Sequence, residues 1–160
     1  MKNTVKLSIK FALGLILLTI VGFSSNVKAQ GSMQPIADTG LVHLERDEVM
    51  IIAVTAKKGY DSYQANHVQF ETTGFSAAAG PGGGPHVKIF ERIATGDVNG
   101  DGAYSIEAPA TQGGVFTPAV RVLVSCDRAP RCVVSATVHK IVLTGGERKK
   151  EYVGHVTLIK

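Results

Sequence analysis

The sequence predicts an all-β fold: a single-domain antiparallel β-sandwich, Ig-like or jelly-roll-like, with one disulfide. Three observations predict it. No window beyond residue 30 sustains a 3.6-residue apolar period. Short runs rich in Val, Ile and Thr recur instead, separated by clusters of Gly, Pro, Asn and Asp. The only two cysteines, Cys126 and Cys132, stand close together near the end of one such run and the start of another.

The N-terminal segment is a signal peptide by pattern. Lys2, Lys6 and Lys10 precede a 13-residue apolar stretch, Phe11 to Phe23, and Val27 and Ala29 are small residues at signal-peptidase spacing. Cleavage is expected after Ala29. A spanning helix needs about 20 apolar residues, so no membrane span is expected after cleavage. The expected division is residues 1–29 signal peptide, 30–40 a flexible leader, and 41–160 the sandwich. The expected location is periplasmic or secreted, where paired cysteines are the rule. A lysine-led leader with no Cys behind its apolar stretch suits a bacterial envelope protein.

The charge balance points the same way. The whole chain carries +4, but residues 1–29 hold four lysines and no acid. The remainder balances 13 basic against 13 acidic residues. Such a chain has no long-range pull on polyanions, which argues against nucleic acid as a partner.

Strands are expected at Leu41–Leu44, Val49–Ala56, His67–Thr72, His86–Ile93, Ala103–Glu107, Val120–Cys126, Cys132–Leu143 and Tyr152–Ile159. If Cys126 and Cys132 oppose each other in a hairpin, Val124 faces Val134, Val122 faces Ala136 and Val120 faces Val138. Each pair is apolar and lies on the cysteine face. The expected core is Val49, Ile51, Val54, Val68, Phe70, Val87, Ile89, Ile106, Val120, Val122, Val124, Val134, Val138, Val156 and Leu158. Gly145 to Lys150 is expected as a charged hairpin turn, and Thr111 to Pro118 as a loop. The run Gly80 to Pro85 reads as a flexible glycine loop; it lacks the Gly-Lys-Ser/Thr ending of a phosphate cradle.

One segment has the composition of an ion site. In Gly96-Asp97-Val98-Asn99-Gly100-Asp101-Gly102, three oxygen-bearing side chains alternate and a glycine follows. Calcium is a hard cation that takes six to eight oxygens. The segment resembles the calcium loops of EF-hand and dockerin modules and the Asp-x-Asn-x-Asp-Gly loops of FG-GAP-type repeats. The resemblance covers about a dozen residues. It implies a metal set of Asp97, Asn99, Asp101, Ala103 and Glu107, with weakly held calcium as cofactor. The pattern departs from an EF-hand, whose loop closes on a bidentate Glu at position twelve. Counted from Asp97, that position is Ala108, and the residues after Gly102 alternate like a strand. Asn-Gly and Asp-Gly are also strong turn formers in their own right.

No catalytic constellation stands out. Gly-x-Ser-x-Gly is absent, and the five histidines (His43, His67, His86, His139, His155) lack a metal-ligand spacing. The disulfide leaves no thiol nucleophile, and Cys126-x5-Cys132 is not a redox spacing. A disulfide-closed loop offering Arg128 to a protease, as inhibitors do, is a further possibility the spacing raises. The expected function is a non-catalytic secreted module that is monomeric, with a binding, adhesive or accessory role toward an extracellular or envelope ligand. The alternative is a small secreted hydrolase with a loop-built active site. A third class, a subunit that completes a neighbour's sheet, lacks a spare strand-like segment in Gln30 to Thr39.

Overall fold

The computed structural model describes residues 32–57, 66–76, 86–99 and 102–160. The expected signal peptide, Asp101 and the Gly80–Pro85 run lie outside these residues. In chain order the strands are β1 (Gln34–Asp38), β2 (Val42–His43), β3 (Glu48–Ala56), β4 (Asn66–Phe75), β5 (Lys88–Val98), β6 (Ala103–Pro109), β7 (Thr111–Gln112), β8 (Val115–Phe116), β9 (Ala119–Cys126), β10 (Cys132–Thr144) and β11 (Glu147–His155). All strand pairings are antiparallel. One sheet runs β1-β9-β4-β5, with β2 added to β9; the other runs β11-β10-β3-β6. The predicted β-sandwich is therefore the observed architecture.

Period-two alternation builds the core. Val68, Phe70 and Thr72 of β4 and Val120, Val122, Val124 and Cys126 of β9 are buried, as are Met50, Ile52 and Val54 of β3. Tyr104 and Ile106 of β6 and Val134 and Val138 of β10 pack against this cluster. Burying a side chain such as Val, Ile or Phe contributes roughly 1.5–3 kcal/mol, so these rows are the main source of stability. Among the described residues no helix is long and apolar enough to cross a membrane.

The disulfide is present, but the hairpin expected around it is not. Cys126 and Cys132 are bonded, yet β9 pairs with β1 and β4 while β10 pairs with β3 and β11. The chain passes from one sheet to the other through a 3-10 turn at Ala129–Arg131. The two valine rows turn inward from opposite sheets. They meet face to face across the core rather than side by side in a ladder.

Four smaller expectations are also corrected. Residues 30–40, expected as a loose leader, contribute β1, which pairs with β9 from Gln34 to Asp38. Three expected core residues lie elsewhere: Val87 and Ile89 are exposed, and Ile51 faces away from Met50 and Ile52 and is half-buried. The charged turn shrinks to Gly145-Gly146, because Thr144 already opposes Glu147. Both glycines have positive φ (62° and 85°), the backbone that a two-residue type I′ connection requires. Arg148–Lys150 thus belongs to β11. The Thr111–Pro118 loop contains the small β7–β8 hairpin.

Candidate functional site

β5 ends one sheet, β6 ends the other, and the chain between them carries the predicted ion site. Asp97 lies on β5 opposite His67, and Asn99 follows the strand. The Asn99 carbonyl accepts a hydrogen bond from the Gly102 N–H at 2.8 Å, which closes a turn. Ala103 opens β6 opposite Thr55, and Glu107 lies further along opposite Ile51. Asp97 is in phase with the outward residues of its sheet, and Glu107 with those of the other. Glu107 also accepts a hydrogen bond from Lys150 Nζ. The two carboxylates thus stand on the outward faces of different sheets, each with its own partner, and Asp101 of the expected set lies outside the described residues.

A different partner meets Asp97. His67 Nδ1 lies 2.5 Å from Asp97 Oδ1, with both side chains about half exposed. The His67 backbone N–H donates to Asp127 Oδ1 at 2.9 Å, and the Asp127 N–H donates to the His67 carbonyl at 3.1 Å. Asp127 therefore fastens the end of β9 to β4 directly beside Cys126. The fold also brings histidines together that no sequence spacing links. The His43 and His86 rings lie 5.6 Å apart, and His139 and His155 contact the Tyr152 ring at 5.8 and 5.3 Å. Among the described residues no group of three or more His, Cys, Asp or Glu is placed to hold a metal.

On the outward side of the first sheet, charge is arranged in pairs. Arg121 Nε donates to Asp38 Oδ1 and Oδ2 at 3.0 and 3.1 Å. The Arg121 guanidinium, together with the Gly40 N–H, holds the Asp38 carboxyl below its usual range despite burial. Lys88 does the same for the exposed Glu91.

Among the described residues, a concavity opens where the two sheets end. A cleft of about 360 Å³ lies between β5 and β6. Thr72, Arg92 and Ala94 line it from one sheet, and Tyr104, Ile106 and Ala108 from the other; Glu107, Pro109 and Gln112 complete it. A smaller cleft of about 270 Å³ lies on the opposite side, lined by Ile36, Ala37, Cys132, Val134 and Leu158 among others. None of the β5–β6 lining residues except Glu107 stood out in the sequence as a site residue. One signal was there: Arg92 shares the inward phase of Phe90, Ala94 and Val98, and a cation in an apolar row marks a row that reaches solvent. Comparison with protein-family models, with curated proteins and with solved structures found no match for this chain.

Proposed function

We propose that this chain is an exported, non-catalytic binding module whose ligand lies along the open β5–β6 side of the sandwich. One observation carries the reading: the cleft of about 360 Å³ between the two edge strands. Its make-up follows the general pattern of ligand sites, an apolar concavity with a few polar groups that fix orientation. Tyr104 and Ile106 supply apolar surface; Thr72, Arg92 and Gln112 supply donors and acceptors. The lysine-led leader supports export, and the Cys126–Cys132 bond suits an oxidising compartment.

Calcium enters this reading as a stabiliser of the β5–β6 turn. The Asp97–Asp101 stretch would hold it, without Glu107. The contact from His67 to Asp97 then plays the orienting part that outer-shell partners play for ligating carboxylates.

Binding is tested on arrays of oligosaccharides and short extended peptides. The expected result is saturable binding to one class, weakened by Arg92→Ala and lost in Ala94→Trp, which fills the cleft. Binding that survives Ala94→Trp in a folded variant places the ligand elsewhere and overturns the reading.

A further inference from the structure

We infer that β5 is a homotypic docking edge: two copies of this chain join their β5 strands antiparallel, making one continuous sheet across a twofold axis. The inference rests on the reading that the β5–β6 side is the binding side, and it names one partner for that side. A sheet edge is a template for another strand, and proteins blunt edges that must stay single. Three edges of this sandwich are blunted. β1 has five residues, contains Pro35, has a register shift beside it, and is bridged by Ile159 at Asp38. β11 carries five consecutive charges, Glu147 to Glu151, and a register shift opposite Val138 and His139. β6 has seven residues and ends in Pro109. β5 differs. It has eleven residues, no proline, an exposed Ile93 at 60%, and β4 as its one strand partner among the described residues.

The charges on β5 suit pairing with a second copy. Pairing the whole strand with itself centres the axis on Ile93. Ile93 then opposes Ile93 of the second copy, Arg92 opposes Ala94, Glu91 opposes Thr95, and Phe90 opposes Gly96. No like charges meet. A shift of the centre to Arg92 sets two arginines against each other, and a shift to Ala94 sets Glu91 against Asp97. Like charges directly opposed are unfavourable, so the charges allow the full-length register and disfavour the shifts of its centre to Arg92 or Ala94. A register shift near Lys88, opposite Gly74 and Phe75, leaves Phe90–Val98 regular, and within that stretch the edge guard is Arg92, an inward-pointing cation. Opposite Ala94 it keeps its place at the mouth of the cleft. An edge of this kind needs no spare segment, so the expectation of a monomer gives way to that of a reversible dimer.

Sedimentation tests the inference on the full chain, expressed with its own N-terminal segment in an export-competent host. Concentrations up to about 200 μM cover the micromolar range in which small interfaces dissociate. The expected mass is twice that of one chain at the top of this range, and that of one chain for Ile93→Lys. Ile93→Cys is expected to form a covalent dimer on mild oxidation, since opposed Cβ atoms lie about 4.5–5.5 Å apart. Thr95→Cys, which does not oppose itself, is expected not to. A single-chain mass throughout overturns the inference, as does a dimer that persists in Ile93→Lys or is linked through Thr95→Cys but not Ile93→Cys. If dimerisation is absent while Ala94→Trp still abolishes ligand binding, the homotypic edge fails and the binding module stands.

Discussion

Cys126 and Cys132 are bonded to each other from opposite sheets, with Cα atoms 6.8 Å apart. Cys126 closes the inward row of β9 and is fully buried, while Cys132 opens β10 and is half-buried. The bond therefore fastens the two layers together where the chain crosses between them, and Asp127 fastens the same end to β4 through the His67 backbone. Closing so short a loop contributes about 2 kcal/mol by chain-entropy arguments. Replacing both cysteines by serine is expected to lower Tm by about 5–10 °C for a domain of this size. The far-ultraviolet circular dichroism should stay β-type. An unchanged Tm would show that the layers are held without the bond.

Tyr104 packs on Gly96 from the other sheet. A Cβ built on Gly96 would lie 2.4 Å from the Tyr104 ring, which in turn lies 5.7 Å from the Phe70 ring, centroid to centroid. Retreat of the ring would draw it off Phe70 and into the β5–β6 cleft. Gly96→Ala is expected to cost roughly 1–3 kcal/mol, the usual range for overpacking. Gly154→Ala is the control: nothing lies within 4 Å of its added Cβ. It is expected to change stability by no more than about 0.5 kcal/mol. Chemical denaturation of both variants measures the difference.

Asp38 sets a pH dependence. Its carboxyl is held below the usual range, first by the hydrogen bond from Arg121. The folded chain thus keeps this proton off at a pH where the unfolded chain binds it. The resulting stabilisation is fully present above the unfolded carboxylate value of about 4 and is lost as pH falls through the lowered folded value. Asp38→Asn should therefore flatten the acid limb of a Tm–pH profile below about pH 5 while matching its shape at neutral pH. An unchanged acid limb would mean that the pair linking β1 to β9 adds nothing to folding.

Calcium is expected to raise Tm at millimolar concentration, because an ion bound by the folded state alone stabilises it by mass action. Asp97→Asn should remove the rise. Glu107→Gln should leave it, since Glu107 is engaged by Lys150 on the other sheet. A melt that calcium does not move, or a rise that depends on Glu107, would exclude the turn as the site.

The inward rows were legible in the sequence; their arrangement in space was less so. Val120, Val122, Val124 and Val134, Ala136, Val138 alternate with period two whether they sit side by side in one sheet or face to face across a core. Local patterning is identical in the two cases, so the crossing at Ala129–Arg131 did not show. β5 misled for a related reason. Val87 and Ile89 suggest an inward row, but a register shift beside Gly74 and Phe75 accompanies the end of β5, and the residues facing in are Phe90, Arg92, Ala94 and Val98. β1 contains Pro35 and no Val, so its strand conformation comes from pairing with β9 rather than from its own composition. The cleft was beyond reach because it belongs to two edges that are neighbours only in the folded chain.

Amide hydrogen exchange, with and without a saturating array-selected probe, tests the binding side most directly. Protection confined to residues 88–98 and 103–109 is the predicted result. Protection centred on the opposite side, around Ile36, Cys132 and Leu158, would contradict it.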